Sequence, residues 1–496
     1  MTQAIDFHAI LPELILSGVI LLVLVVDVFL RPSRKWLAMP LSLVGVLAAL
    51  VATLTLIGEE RTTFGGSFEI DSFAVLFKVF FLAVAVVVLL ISLRYFQDGR
   101  FYQGEYYFLL LTSFLGCLLM PSSRDLLMLF ISLELVSAPG FLIAAFRKSD
   151  PRSNEAGLKF FLIGVLSSAV MLYGMSLIYG ATGTLNLPEI GRCLGLFQEV
   201  VLNCGATVHG ETLVLAAILF IVVGFAFKVS AVPFQFWAPD TYEGAPIPVA
   251  AFLAVASKAA GFAGLLQLMF VAFPNQSEFW APIFAALSIA TMTIGNLVAL
   301  QQRQVVRLLA YSSIAQAGYM LLPFALAGGS LAVDEAAFSA SVTYILIYAV
   351  MNLGAFAVVI SLSRETPGML ISDFAGLAKR APVMAIAMTT FLVSLAGIPP
   401  TAGFWAKFFV FTAAIDRGGI GPILAVAMVV NSVISLYYYL AIVREMIFVE
   451  VKEERRLASP ALVTGVVMLA TAAVLAVGLY PDLFAKFPPL STLVGP

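Results

Sequence analysis

Five lysines, Lys78, Lys159, Lys228, Lys258 and Lys407, and one glutamate, Glu134, stand inside apolar stretches long enough to cross a bilayer. A charged group at the centre of a membrane helix costs about 2.5–3.5 kcal/mol on insertion scales, so such residues mark ion paths, proton relays or fixed pairs. Amines and a carboxylate are the chemistry of a proton carrier. Burial disfavours the charged form of an amine, a nearby carboxylate favours it again, and a moving partner therefore loads and unloads the proton.

Each of these residues has its own setting. Glu134 lies deep in LLMLFISLELVSAPGFLIAAF, where so short a side chain cannot reach water by snorkelling, and is expected to titrate or to balance a lysine. Lys228 precedes Pro233, at a point where freed backbone carbonyls and water can solvate an ammonium. Lys258 is flanked by Ser257 and small residues that let helices approach closely. Lys407 follows a Gly/Pro-rich interruption. For these three, a lysine held permanently by carbonyls or a fixed acid is the bland alternative. Lys159 has a stronger competitor, an i,i+4 pair with Glu155. Lys78 is read as snorkelling from the outer end of its helix.

The elements that hold these groups are transmembrane helices. The 496-residue chain is 61% hydrophobic and 11% charged, with a mean hydropathy of +1.03, far from the soluble average. At roughly 20 apolar residues per crossing the chain holds about fourteen helices: 9–30, 37–57, 72–94, 105–121, 125–146, 155–180, 212–236, 245–272, 277–299, 305–326, 338–362, 382–414, 421–446 and 460–484. Most of the 27 basic residues fall in alternate loops, beginning with the loop after the first helix. The positive-inside rule makes those loops cytoplasmic and puts both termini on the outer side. The first apolar stretch follows an acidic N-terminus without a positive n-region and reads as a retained helix.

Two spans look broken. KVSAVPFQFWAPD places Pro233 in the seventh, and SLAGIPPTAGFWAKF places Gly397, Pro399 and Pro400 in the twelfth. Interrupted segments at corresponding places in two halves of a chain point to an inverted-repeat transporter; two ordinary proline kinks are the alternative. The expected division is 1–104 for helices one to three, 105–272 for a first five-helix repeat, 273–446 for a second inverted repeat, and 447–496 for the last helix. The fold class is an all-α integral membrane protein.

Other chemistries lack residues. Cys117, Cys193 and Cys204 offer no CxxC, iron–sulfur or haem pattern, and Cys193 and Cys204 are read as two free thiols, with pairing as the alternative. His8 and His209 lie at the outer surface or in a loop, so a proton path must use lysine, glutamate, hydroxyls and water. No GxxxxGK, GxGxxG or HExxH stands in a fitting context, and no basic run argues for nucleic acid.

Four segments, FKVSAVPFQFWAPDTYEGAPIPVAAFLAVASK, EAGLKFFLIGVLSSAVMLYGMSLIYGATGT, RLLAYSSIAQAGYML and SLAGIPPTAGFWAKF, resemble the subunit N family of proton-translocating NADH-quinone oxidoreductase, respiratory complex I. PDTYEGAPIPV is the most specific of them. The resemblance implies fourteen helices with two inverted five-helix repeats and broken seventh and twelfth helices. It implies a Glu134–Lys228 pair, Lys258 as the central relay, Lys407 at the periplasmic outlet, and Lys159 as the family's helix-six lysine. It also implies a bacterial inner-membrane location and a subunit of a translocase with no redox centre of its own. FMN, iron–sulfur clusters and quinone would belong to partner subunits, and the partners would be the antiporter-like subunits M and L, the small subunits K, J, A and H, and membrane lipid. Two departures stand out: Gln235 and Gln316 occupy places where many relatives carry histidine, and Val306 replaces a common lysine. A cation/proton antiporter or membrane-bound hydrogenase subunit is the rival transport reading, and a non-transporting scaffold bundle is the second.

Overall fold

A computed structural model describes residues 5–97, 103–195, 211–363, 368–450 and 460–481. Thirteen of its helices are long and apolar enough to cross a membrane. The first six are α1 (Leu11–Phe29), α2 (Ala38–Leu54), α3 (Ser72–Gln97), α4 (Gln103–Leu119), α5 (Leu126–Ala144) and α6 (Pro151–Thr182). Their ends follow local chemistry. The Asp125 carboxylate accepts from the Leu127 and Met128 amides to start α5. Asp150 caps α6, Pro151 opens it, and Gly183 at φ 71° closes it in the left-handed conformation that glycine adopts without strain.

The next elements are a short helix, α7 (Leu187–Gly195), then α8 (Glu211–Val229), α9 (Trp237–Gly244), α10 (Ile247–Phe252), α11 (Lys258–Gln267), α12 (Ser277–Ala299), α13 (Val305–Leu321) and α14 (Leu331–Leu362). The chain continues through α15 (Leu377–Arg380), α16 (Pro382–Ala396), α17 (Ala402–Arg417), α18 (Gly421–Phe448) and α19 (Ala461–Leu479). The expected seventh span, 212–236, is α8 followed by non-helical backbone at 230–236, with α9 beginning beyond it, and the expected twelfth, 382–414, is α16 plus α17, interrupted at 397–401. Splitting the twelfth leaves two segments each shorter than a crossing, which is why thirteen long helices correspond to the expected set. Each interruption opens on a left-handed residue, Ser230 at φ 62° and Gly397 at φ 90°.

Burial sorts the helices into centre and rim. The apolar window of Ile247–Ala272 is 100% buried and that of Leu331–Leu362 is 94% buried, against 28% for the first and last spans. The central span is also irregular. Five-residue π-helical stretches, Leu253–Ser257 and Leu268–Ala272, flank α11, so Lys258 opens a regular segment bounded by two places where the backbone ladder slips.

The sequence reading missed a small cap. Strands β1 (Arg61–Thr63) and β2 (Phe68–Ile70) pair antiparallel, and Phe68 bridges to Ser123. The cap ties the first three helices to the turn before α5. Cys193 on α7 is disulfide-bonded, which corrects the reading of free thiols. Cys204 and His209 lie outside the described residues.

Candidate functional site

Lys228 is the penultimate residue of α8, next to the first interruption, and is only 2% exposed. Its ammonium donates to the Ser137 hydroxyl of α5 at 2.8 Å. Glu134, one turn earlier on α5, accepts instead from the Ser168 hydroxyl of α6 at 2.5 Å and is partly exposed on the flank of the bundle. The expected Glu134–Lys228 ion pair is therefore not a direct contact: two hydroxyls hold the two ends separately. Serines on facing helices lie outside the reach of any local pattern, so the sequence could not place them.

Lys258, at 1% exposure, donates to both the hydroxyl and the carbonyl of Ser313 on α13, at 2.6 and 2.7 Å. Lys228 packs against the same helix. A Cβ added at Gly261, on the same helix, would stand 2.9 Å from Lys228 Cγ, so the missing side chain lets α11 lie against the Lys228 stem. Lys407, in the second turn of α17 and 7% exposed, donates to the Ala396 carbonyl at 2.9 Å. That carbonyl is free because α16 ends there. Lys407 also lies 4.6 Å from the Tyr319 ring centroid, a cation–π contact. Beside it a cavity of about 370 Å³ is lined mainly by apolar side chains such as Phe404, Phe408 and Val433. Among the described residues no carboxylate pairs with Lys228, Lys258 or Lys407.

Lys159 sits in a different environment. Its side chain is 43% exposed and is shared between Glu155 and Asp240, both at 2.7 Å. Asp240, on α9 beyond the interruption, also accepts from Arg307 of α13 at 2.8 Å, and Arg307 reaches Glu243 at 2.8 Å. These groups line a polar cavity of about 270 Å³. Next to Lys159, Phe160 stacks on Trp237 with centroids 4.2 Å apart, and the Trp237 indole donates to the carbonyl of Phe227, the residue before Lys228. The charged cluster is thus mechanically joined to the buried one. Asp240, Glu243 and Arg307 were absent from the sequence-derived site; the PD of PDTYEGAPIPV was the available signal.

Lys78 corrects an expectation outright. It is 0% exposed and does not snorkel: its ammonium is 2.7 Å from the carboxylate of Glu13 in the first turn of α1, and 4.7 Å from the Phe68 ring centroid. A lysine supplied with a buried carboxylate has no need to reach the interface.

Comparison with known proteins decides the family. The profile described as NADH:quinone oxidoreductase/Mrp antiporter, TM, matches residues 123–435. A protein of Trichlorobacter lovleyi named NADH-quinone oxidoreductase subunit N is 41% identical over 453 residues, covering 91% of this chain and 90% of the relative. The chain belongs to the NADH-quinone oxidoreductase subunit N family. Another such protein, subunit N 2 of Rhizobium meliloti, is 39% identical over 488 residues, with 98% of this chain and 97% of the relative covered. A chain of respiratory complex I from Thermus thermophilus superposes with a TM-score of 0.77 at 32% identity, covering 96% of this chain and 98% of that one.

Within this subunit N family member, the two glutamines occupy telling positions. Gln235 lies in the first interruption and is buried, and its Oε1 accepts no hydrogen bond from the described residues; the same holds for the buried hydroxyl of Ser230 at the start of that stretch. Buried polar atoms are nearly always satisfied, so this stretch is suited to ordered water. Gln316 instead is fully engaged between tyrosines of α14 and α18.

Proposed function

We propose that this chain is a proton-translocating membrane-arm subunit of an NADH:quinone oxidoreductase. It moves protons from the cytoplasm to the outer side, driven by electron transfer in partner subunits that carry the FMN, iron–sulfur clusters and quinone. Lys159 and its acidic partners would form the cytoplasmic approach, Lys228 and Lys258 the central relay, Lys407 the outlet, and Glu134 the element through which a neighbouring membrane-arm subunit biases Lys228. The inverted repeats at 105–272 and 273–446 and the periplasmic placement of both termini are parts of this proposal.

The observation that carries it is the trio of almost fully buried lysines held by hydroxyls and carbonyls with no carboxylate paired to them. At Lys228 and Lys258 a hydroxyl that accepted from NH3+ can donate to NH2, and at Lys407 the Ala396 carbonyl accepts from an amine as it does from an ammonium. Moving one charge through the membrane against 100 mV requires about 2.3 kcal/mol, and less than two units of change in proton affinity at one lysine supply that much. In the assembled complex reconstituted in vesicles, Lys228→Met and Lys258→Met each remove proton pumping coupled to NADH oxidation. Full pumping by both variants would refute the relay, and a purified native complex free of flavin would replace NADH oxidation with another driver.

A further inference from the structure

A phenylalanine and a tryptophan follow each interruption, Phe236 with Trp237 and Phe404 with Trp405, and the two tryptophans bond in different directions. The Trp237 indole turns back to α8 and donates to the Phe227 carbonyl at 3.1 Å. The Trp405 indole leaves the interrupted pair of helices altogether and donates at 2.9 Å to the carbonyl of Gly478 on α19. Gly478 is the penultimate residue of that helix, where carbonyls lack intrahelical partners. The same glycine seats α19 on the second interruption. A Cβ there would overlap the Pro400 carbonyl oxygen and stand 2.7 Å from Thr401 Cα. A helix at the rim of the molecule thus meets this segment twice, at the interruption and on α17.

Lys407 depends on the geometry of that segment. Its stem rises from α17 while its acceptor, the Ala396 carbonyl, ends α16, so residues 397–401 set the separation of the two. A Cβ at Gly397 would lie 2.8 Å from Lys407 Cδ, which puts the stem against the first residue of the interruption. One tie joins the helices directly: the Gly403 amide of α17 donates to the Ser394 hydroxyl of α16 at 2.9 Å. A second tie on another flank fixes the rotation of α17. Trp405 and Lys407 are two residues apart, about 200° around a helix of 3.6 residues per turn, so a bond made by Trp405 sets the direction of the opposite flank. We propose that Trp405 is a positioning residue for Lys407, anchored on the last helix. Its bond to Gly478 holds α17 at the rotation where the Lys407 ammonium meets the Ala396 carbonyl and the Tyr319 ring. Tyr319 is the ionisable side chain in contact with that ammonium, and among the described residues no carboxylate pairs with it. This inference rests on the relay proposed above.

The test uses the whole complex, assembled and reconstituted in vesicles, with proton pumping per NADH oxidised followed across pH. Lys407→Met is the reference for loss of the lysine itself. Trp405→Phe keeps a ring among Phe404, Phe408 and Phe409 and removes the N–H. Loss of one aligned hydrogen bond is worth about threefold to tenfold, so pumping by Trp405→Phe is expected to fall by that factor. The pH of half-maximal pumping is displaced as well, because the groups that solvate the lysine have moved. Gly478→Ala, which forces Pro400 away, is expected to displace the same pH. Gly465→Ala, on the same helix with no atom within 4 Å of the added carbon, leaves both readouts unchanged. A merely structural tie would lower pumping by the same factor at every pH, and that result overturns the inference. Normal pumping by Trp405→Phe beside a loss in Lys407→Met overturns it too and leaves the relay standing. So does Gly465→Ala behaving like Gly478→Ala. Should Gly478→Ala fail to assemble, Trp405→Phe alone decides. Normal pumping by Lys407→Met places the failure in the relay.

Discussion

In the second turn of α3 the ammonium of Lys78 lies 2.7 Å from the Glu13 carboxylate, with an aromatic ring over it. At the centre of the molecule Lys228, Lys258 and Lys407 are buried almost as deeply and have only hydroxyls and carbonyls to donate to. The N-terminal region has a lysine neutralised in place, and the region of the proposed relay has lysines that are solvated but not paired with a carboxylate. Removing the proton from Lys78 would strand a buried carboxylate. Removing it from Lys258 leaves a neutral amine among hydroxyls that can turn to suit it. On the proposed reading, burial alone does not mark a proton carrier; the identity of the acceptors does.

Substitution at both ends of this comparison separates the two roles. The largest effect is expected at the centre, where Lys228→Met and Lys258→Met lower proton translocation about a hundredfold, the upper part of the range for a positioned proton-transfer group being larger still, while the assembled complex stays intact. Vesicle acidification against NADH oxidation measures it. Lys78→Met behaves in the opposite way. It leaves Glu13 buried and unpaired, which destabilises by about 3–5 kcal/mol, so thermal stability and the yield of assembled complex fall. Pumping per NADH in the surviving complex is unchanged, and Lys78→Met combined with Glu13→Leu recovers most of the stability. Loss of pumping in that double variant would erase the distinction.

A third substitution tests the boundary between the regions. Lys159 is neither deeply buried nor unpaired, since it is shared by Glu155 and Asp240. Part-exposed pairs of this kind are worth about 0–1 kcal/mol, so Asp240→Asn is expected to slow translocation by no more than about fivefold, with an effect that weakens as salt is raised. A loss as large as that of Lys228→Met would move Asp240 into the relay proper.

The pattern of what was legible in the sequence follows from the same contrast. Apolar run length gives the spans, and Pro233 and Pro399–Pro400 mark the two interruptions, because these are local properties of the chain. The relay lysines were legible as residue types in improbable places. Their acceptors were not: Ser313 is 55 residues from Lys258, and Asp240 is 81 from Lys159. The Lys78 misreading has this origin, since Glu13 sits two helices away and only packing brings them together. The two-strand cap escaped for another reason, its strands being only three residues each and too short to show an alternating pattern, and the bonding of Cys193 is the alternative that the sequence leaves open beside free thiols.

The smallest expected effect lies in that cap. Asp6 accepts from Arg61 of β1 at 2.8 Å and from the His8 and Ala9 amides at 2.9 and 3.2 Å. The Arg61 hydrogen bond, with the Ala9 amide next, holds the Asp6 carboxyl below its ordinary range. A carboxylate whose pKa is depressed on folding stabilises the fold above its unfolded pKa, near 3.8, and that contribution disappears as pH falls through the lower folded value. The Asp6–Arg61 contact should therefore be closed at neutral pH and open only in acid, in contrast to the Lys78–Glu13 pair, which is buried within the bundle. Hydrogen exchange at the His8 and Ala9 amides is expected to quicken as pH is lowered through that window, after correction for intrinsic exchange. Asp6→Asn should produce the faster exchange at neutral pH with no change in pumping. Protection that survives both treatments would show that packing of the cap, and not its surface charge, holds the N-terminal segment in place.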